Sequence, residues 1–227
     1  MIVDKDHIID YIVDSSTCSY GIIGNGGGGK TFLTQRITES LGYSENAILC
    51  SDDYLLDNII RKSPYFIKNY TVYNKESYFI TALERDLISA LKGNSFLKLP
   101  NDYNSCENYE PKNVKIFEGI ALPFTTIFQK LDKKIFIFND AELELELRIK
   151  RDVEERKIPR DKVLNDFYRR REGFENNYRE FISDCDIVIK NMGCLFDVSK
   201  VWSHMIVVKT KYDIVKYVKL EYFEKID

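Results

Sequence analysis

Residues 24–31 read Gly24-Asn25-Gly26-Gly27-Gly28-Gly29-Lys30-Thr31, which fits the phosphate-loop pattern G-x-x-x-x-G-K-[ST]. An apolar run precedes this segment and an amphipathic pattern follows it, which is the setting that phosphate binding requires. The glycines let the backbone curl so that successive N–H groups point inward at phosphate oxygens. Lys30 adds a positive charge, and Thr31 offers a hydroxyl to Mg²⁺. We therefore predict that the segment from Gly24 to Thr31 binds the phosphates of a nucleotide.

Short apolar runs alternate with helical patterns along the chain, which is typical of a parallel α/β sheet. Each run is short enough to be a strand buried on both faces. The predicted strands are 20–23, 47–50, 114–117, 135–138 and 187–189. We expect one domain over residues 1–227 with a three-layer α/β/α P-loop NTPase fold, a five-stranded parallel core and a helical, arginine-bearing lid at about 148–181.

Helical spacing predicts a helix after the glycine loop that ends at Gly42, and a second helix over 78–91 that ends at Gly93. Segment 141–150 is ambiguous because its leucines alternate as in a strand. We favour a helix there, since Asn139 and Asp140 are good capping residues.

The C-terminal extension, about 192–227, carries weaker signals. Residues 205–208 suggest a further strand. Apolar residues at helical spacing then suggest a final helix lined by Tyr212, Val215, Val218 and Tyr222.

The composition excludes several classes of protein. With 44% hydrophobic and 30% charged residues the chain is globular, and no apolar run approaches the length of a membrane span. A net charge of -3 gives no reason to expect nucleic acid or an anionic membrane as partner. Five scattered cysteines without a C-x-x-C pair argue against zinc sites and disulfides. We expect a cytoplasmic protein.

Acidic residues follow two of the predicted strands. Asp52 and Asp53 follow the second strand, and Glu118 follows the third. Ligands of open α/β sheets bind at this carboxyl edge, so Asp52 is a candidate base for a hydroxyl proton and Glu118, with Thr31, a candidate magnesium ligand. No Asn-Lys-x-Asp motif is present and no Asp-x-x-Gly follows the third strand. These absences argue against a GTPase and favour a small-molecule kinase.

Arginines cluster in one part of the sequence, where eight of the eleven fall between Arg148 and Arg179. Arginine forks pair with phosphate and stabilise charge on a transferring phosphoryl group. Arg170 falls at the centre of a predicted apolar helix stripe, where an arginine usually pairs with an acid or a phosphate. Arg169 and Arg179 are expected to be solvated.

Together these motifs resemble the uridine kinase and phosphoribulokinase family of phosphate-loop kinases, over about residues 20–190. The landmarks are the glycine loop, Asp52-Asp53-Tyr54, segments 73–93 and 117–120, Arg148 to Val153 with Arg156, and 186–189. The resemblance implies ATP-dependent phosphorylation of a primary hydroxyl, commonly the 5′ position of a ribonucleoside. It also implies Asp52 as the base, and Arg148, Arg151 and Arg156 over the substrate and phosphates.

The departures from the family pattern concentrate on the acceptor side. The tyrosine box ends as Tyr54-Leu55, without a tyrosine that packs near the nucleoside, and Ile158 replaces the second arginine of Arg-Gly-Arg. The loop serines of the family are glycines here, which phosphate binding tolerates. We place the acceptor pocket at Asp52, Tyr54, Tyr73, Asp102, Tyr103 and Arg148.

The expected function is an ATP- and Mg²⁺-dependent kinase of a nucleoside-like small molecule, with Lys30, Asp52, Arg151 and Arg156 as catalytic residues. Uridine or cytidine is the first acceptor to consider, and a nicotinamide riboside-, pantothenate- or glycerate-like compound is the second. A nucleotide-binding regulatory protein without transfer activity stays open, and so does a homo-oligomeric state.

Overall fold

The computed structural model describes residues 1–66, 70–98, 107–200, 205–209 and 214–219. The strands are β1 Ile2–Asp4, β2 Ser19–Gly24, β3 Ile48–Cys50, β4 Phe96–Leu97, β5 Asn108–Tyr109, β6 Lys115–Glu118, β7 Lys133–Asn139, β8 Ile187–Asn191, β9 Leu195–Lys200, β10 Met205–Lys209 and β11 Ile214–Lys219. The helices are α1 Lys30–Ser40, α2 Asn58–Arg61, α3 Ile80–Leu91, α4 Ala141–Arg148 and α5 Arg160–Asn177. A π-helical segment, Ile149–Glu155, follows α4 directly.

The main sheet has the strand order β1-β9-β8-β7-β2-β6-β3. The five predicted strands are confirmed, and every pairing among them is parallel. The prediction missed β9 and β1, which add to this core as antiparallel strands and make the sheet a mixed one of seven strands. Strand β2 lies at the centre with β6 on one side and β7 on the other, so the strand order reverses there. The glycine loop follows β2 and therefore lies at the position where such sheets bind ligands.

Alternating residues of the central strands face two separate apolar layers, as expected for strands buried on both sides. On β7, Ile135 and Ile137 face the layer that contains α1. Phe136 and Phe138 face the opposite layer, which contains α3 and α5. The three-layer α/β/α architecture follows from this alternation.

The predicted helices over 30–41, 78–91 and 141–150 are confirmed as α1, α3 and α4. The two predicted glycine caps adopt left-handed backbone, with φ of 67° at Gly42 and 78° at Gly93. Because residues 141–148 form a helix, Glu144 and Arg148 lie one turn apart, and these two buried residues form an ion pair.

The predicted C-terminal helix is wrong within the residues that the structure describes there. Ile214–Lys219 is a strand, β11, which pairs antiparallel with β10. The predicted strand at 205–208 is confirmed as part of β10. Tyr212 and Tyr222 lie outside the described residues. The segment Ile-Val-Lys-Tyr-Val-Lys contains valine and tyrosine, which have a high strand propensity, and its partner strand supplies the ladder.

Arg179 is buried, contrary to the prediction that it is solvated. It forms an ion pair with Glu175, which lies one turn earlier at the end of α5. Glu175 also pairs with Arg171 at 2.7 Å, so one carboxylate serves two guanidinium groups. Arg169 is exposed as expected and pairs with Asp166.

Candidate active site

The glycine loop adopts a backbone that only glycine accommodates well. Gly24, Gly27 and Gly29 have φ angles of 150°, 78° and 105°. A Cβ atom on Gly24 would collide with the carbonyl oxygen of Ile137 on β7. The loop therefore lies directly against the end of the neighbouring strand, and α1 begins at Lys30 immediately after it.

The loop amides are arranged to bind an anion. Within the loop the Gly28 amide donates to the Asn25 carbonyl at 3.1 Å. The amides of Gly27 and Gly29 have no acceptor among the residues that the structure describes. These two donors lie beside the N-terminus of α1, whose partial positive charge favours phosphate. The loop thus fits the polyphosphate of a nucleotide.

Lys30 adds a full positive charge to the same place. Its ammonium group donates to the carbonyl oxygens of Gly24 at 3.3 Å and Asn25 at 3.0 Å. In the described ranges it forms no ion pair, although its charge acts on the pKa of the nearby Glu118 carboxylate. An anion bound on the loop would be a direct partner for this charge.

Glu118 ends β6 beside the start of α1. Its carboxylate accepts hydrogen bonds from Thr34 at 3.0 Å and from Thr31 at 3.4 Å. Burial raises the pKa of Glu118, and the nearby Lys30 charge opposes this increase. The described residues contain no group of three or more His, Cys, Asp and Glu side chains that could hold a metal ion. A magnesium ion next to Thr31 and Glu118 would therefore need phosphate oxygens and water to complete its coordination, as is usual for Mg²⁺.

Asp52 lies in the 3₁₀ turn that follows β3, Ser51–Tyr54. The amide of Ile120, just beyond β6, approaches its carboxylate at 3.5 Å. The adjacent Ser51 hydroxyl accepts a hydrogen bond from the Ala121 amide at 2.9 Å. A Cβ on Gly119 would collide with that hydroxyl, so the ends of β3 and β6 are packed together closely.

The Asp52 side chain is exposed, and its charge contributes to the raised pKa of Glu118. The structure thus brings Lys30, Thr31, Asp52 and Glu118 together at one edge of the sheet. The carboxylate of Asp52 faces solvent beside the loop, where a substrate hydroxyl could approach it.

Tyr73 and Arg148 cover the loop at Gly26. The Gly26 amide donates to the Tyr73 hydroxyl at 2.9 Å. Arg148 is buried, and a Cβ on Gly26 would collide with its guanidinium group. Burial, together with the charge of Glu144, raises the pKa of Tyr73 to about 12, so the hydroxyl stays protonated at neutral pH. Both predicted acceptor residues therefore reach the loop.

Arg151 and Arg156 both pair with Asp152 in the π-helical segment and the turn after it. The nitrogen–oxygen distances are 2.8 Å for Arg151 and 3.3 Å for Arg156. Burial acts to raise the pKa of Asp152, but the two guanidinium groups outweigh it and lower that pKa. The hydrogen bond to Asp152 raises the pKa of Arg151, and the charge of Asp52 makes a smaller contribution in the same direction.

Tyr54, another predicted acceptor residue, is not brought to the loop. Tyr54 is buried in the core, where its hydroxyl donates to Asp86 on α3 at 2.7 Å. Asp102 and Tyr103 lie outside the described residues.

The sequence did not indicate a role for Glu144, which supports the glycine loop through a hydrogen bond from Asn25. This buried carboxylate accepts hydrogen bonds from Asn25 at 2.8 Å and from Arg148 at 2.8 Å, and it pairs with Arg171 at 3.1 Å. Asn25 also donates to Asn139 at 2.6 Å. The spacing of Glu144 and Arg148 by one helical turn is the only signal in the sequence that could have indicated this network.

A loop of this geometry at the switch point of a parallel sheet defines a P-loop kinase or a related nucleotide-binding protein. The family model described as "Phosphoribulokinase / Uridine kinase family" matches residues 20–196. A uridine kinase of Staphylococcus aureus (strain JH9) is 31% identical over 160 residues, which are 67% of this chain and 76% of that protein. The chain belongs to the phosphoribulokinase and uridine kinase family, and it is therefore a P-loop kinase by family.

Solved structures share the fold at lower identity. A chain described as a possible uridine kinase from Bacillus stearothermophilus has a TM-score of 0.54 at 14% identity, covering 81% of this chain and 96% of its own. Phosphoribulokinase from Rhodobacter spheroides has a TM-score of 0.54 at 12% identity, covering 78% of this chain and 71% of its own. Across the described part of the chain, no helix is both long enough and apolar enough to span a bilayer.

Proposed function

We propose that this protein transfers the γ-phosphate of ATP, with Mg²⁺, to a primary hydroxyl of a small molecule, first of all to the 5′-hydroxyl of a pyrimidine ribonucleoside. Membership of the family supports the phosphotransferase class. The similarity to a uridine kinase makes uridine and cytidine the first acceptors to test.

One observation carries the proposal. The exposed carboxylate of Asp52 lies at the end of β3, beside the buried Glu118 and the loop that carries Lys30. A carboxylate in this position can accept a proton from an alcohol while the alcohol oxygen attacks a phosphate held on the loop. General base catalysis of this kind contributes about 10²- to 10⁴-fold to the rate.

The loop and its lysine supply charge and position. Lys30 and the Gly27 and Gly29 amides stabilise negative charge on the phosphates, and they are fixed before the reaction begins, so little reorganisation is needed. Thr31 and Glu118 would hold Mg²⁺, which when bound neutralises charge on the phosphates. Phosphoryl transfer needs little covalent help, so orientation and charge account for most of the expected rate.

Arg151 and Arg156 are assigned to the phosphoryl group in this proposal. Their shared partner Asp152 restrains both guanidinium groups near the end of the π-helical segment. A guanidinium fork that meets the transferring group would stabilise its equatorial oxygens.

The acceptor pocket is assigned to the side of the loop where Tyr73 and Arg148 lie, with Asp52 at its edge and Asp102 and Tyr103 as further members. A different acceptor, such as a nicotinamide riboside-, pantothenate- or glycerate-like compound, is the second candidate. The core position of Tyr54 favours this second candidate. Its hydroxyl donates to Asp86 and is therefore not directed at a nucleoside in the acceptor pocket.

Measurement of ADP release against a panel of nucleosides and small hydroxyl metabolites tests the proposal. We expect uridine or cytidine to stimulate ADP release well above the water-driven background. Asp52→Asn should lower turnover by about 10²- to 10⁴-fold with ATP affinity almost unchanged. Asp57→Asn is the matched control, because Asp57 lies in the same segment between β3 and α2. If no compound in the panel stimulates ADP release above the water-driven background, the kinase proposal fails and a nucleotide-binding regulatory protein becomes the better candidate.

A further inference from the structure

Helix α5 presents one arginine within its apolar face. Val163, Phe167 and Phe174 of this helix are buried, and Arg170 lies three residues after Phe167 and four before Phe174. It therefore occupies the same face at 100° per residue. That face packs against the segment that carries Tyr73, because the rings of Tyr73 and Phe174 lie 5.6 Å apart.

The contact between α5 and this segment is close. A Cβ on Gly173 would collide with the Thr71 hydroxyl, so the helix backbone approaches the chain directly before Tyr73. The Tyr73 hydroxyl in turn accepts from the Gly26 amide of the loop at 2.9 Å. Arg170 is thus placed on the surface of α5 that faces the loop through Tyr73.

Arg170 differs from its neighbours in having no acidic partner. Arg169 pairs with Asp166 at 3.3 Å, and Arg171 pairs with Glu144 and Glu175. Across the described ranges, Arg170 makes neither a hydrogen bond nor an ion pair. It is only partly exposed, and burial, together with the nearby charge of Arg148, lowers its pKa.

Two cations near the loop, Arg170 and Lys30, form no ion pair among the described residues. Glu144 is shared between Arg148 and Arg171, and Lys30 bonds only to backbone carbonyls among the described residues. A guanidinium group removed from water without a carboxylate costs free energy unless an anion binds to it. The anion that the neighbouring loop fits is a phosphate.

We propose that Arg170 binds the terminal phosphate of the nucleotide donor, next to the Gly26–Gly27 end of the loop, and so acts as a further phosphate-binding residue of the transfer site. This inference rests on the proposed function for the identity of the donor. The free Gly27 amide is adjacent to the Gly26–Tyr73 contact, so a phosphate on that amide lies beside the α5 face.

Equilibrium binding without any acceptor tests this assignment. The affinities of a non-hydrolysable ATP analogue and of ADP, both with Mg²⁺, are measured by calorimetry for the wild type, Arg170→Met and Arg169→Met. A hydrogen bond to a charged group is worth about 1.5–3 kcal/mol, so Arg170→Met should weaken the ATP analogue by about 10- to 100-fold. ADP affinity should change less than about twofold, since ADP lacks the terminal phosphate. Arg169→Met should alter neither affinity, because that side chain is exposed.

A stability measurement separates this role from a structural one. Removing an unpaired, partly buried charge should leave the free energy of unfolding of the free protein unchanged or raise it, whereas loss of a structural contact would lower it. Arg170→Lys should keep part of the preference for the ATP analogue, because it keeps the charge but not the fork.

Two results would overturn the inference: an equal loss of affinity for ADP and the ATP analogue, or an unchanged preference for the ATP analogue in Arg170→Met. The binding assay uses no acceptor, so its result does not depend on the kinase assay. If the wild type phosphorylates nothing in the panel but Arg170→Met still removes the preference for the ATP analogue over ADP, the proposed function fails and this inference stands.

Discussion

The Tyr73 hydroxyl accepts a hydrogen bond from the Gly26 amide at 2.9 Å, which fixes the start of the phosphate loop to the segment before α3. Tyr73→Phe leaves that amide without its acceptor. We expect the free energy of unfolding to fall by about 1–2 kcal/mol in urea denaturation, the cost of an unpaired backbone donor. Tyr168→Phe is the control, since Tyr168 is 65% exposed. Equal effects of the two changes would show that the contact contributes nothing.

Glu144→Gln should weaken the support beneath the loop. The change removes the charge that Arg148 and Arg171 share, and both guanidinium groups have limited access to water. Breaking a buried ion pair by removing one partner costs about 3–5 kcal/mol, although a retained hydrogen bond from glutamine would reduce this loss. Thermal and urea unfolding measure the effect, with the exposed Glu142→Gln on the same helix as control. A change below about 0.5 kcal/mol, the usual range for surface substitutions, would contradict the network's role.

Glu118 gives the stability a defined pH dependence. Because burial raises its pKa in the folded state, the fold favours the protonated carboxyl. The contribution of this group to stability is therefore fully present below its ordinary pKa of 4.5 and is lost as the pH rises through the folded-state value. Without nucleotide or metal, Glu118→Gln should be more stable than the wild type at pH 7, and the difference should shrink towards pH 4.

Unfolding by urea at several pH values measures this difference, and the exposed Glu45→Gln serves as the control. If the wild type instead gains stability relative to Glu118→Gln as the pH rises, the pKa of Glu118 is lowered in the folded state and this prediction is wrong. Glu118→Gln should also weaken the dependence of nucleotide binding on Mg²⁺, which titration of the metal at fixed nucleotide measures.

Tyr54→Phe should affect stability and leave acceptor binding unchanged. Its hydroxyl donates to the buried Asp86 carboxylate, so the change removes a hydrogen bond to a charged group. We expect a loss of about 1.5–3 kcal/mol in the free energy of unfolding. The KM for the acceptor should stay within about twofold, because Tyr54 makes no contact with the acceptor in the proposed pocket. Tyr65→Phe, at 95% exposed, is the control. A selective rise in the KM for the acceptor would return Tyr54 to the acceptor pocket.

The parallel core could be predicted from the sequence because its signals are local. A strand buried on both faces is a continuous apolar run, and the glycine loop has a fixed spacing that ends in Lys30. Strands β1 and β9 have no such signal. Ile2–Asp4 is three residues long, and Leu195–Lys200 mixes apolar and polar residues without a continuous apolar run. Their pairing joins distant parts of the chain, which no local pattern records.

The sequence also predicted part of the site. Lys30, Thr31, Asp52 and Glu118 follow from their places after strands, and the structure brings them together. The roles of Glu144 and Tyr54 were not predictable. A buried carboxylate with two arginine partners, or a tyrosine hydroxyl used by a core aspartate, depends on tertiary contacts between elements far apart in the sequence.

The pairing of β1 with β9 also bears on biosynthesis. Ile2 lies opposite Asp197, so β1 has no partner in the sheet until β9, almost two hundred residues later in the chain, has been translated. Non-local pairings of this kind slow folding, because a long loop must close before the contact forms. The β8 edge can assemble on β7 before β9 arrives to cover it. We therefore expect the nascent chain to expose an unpaired sheet edge until late in translation, when a chaperone would have most reason to bind it.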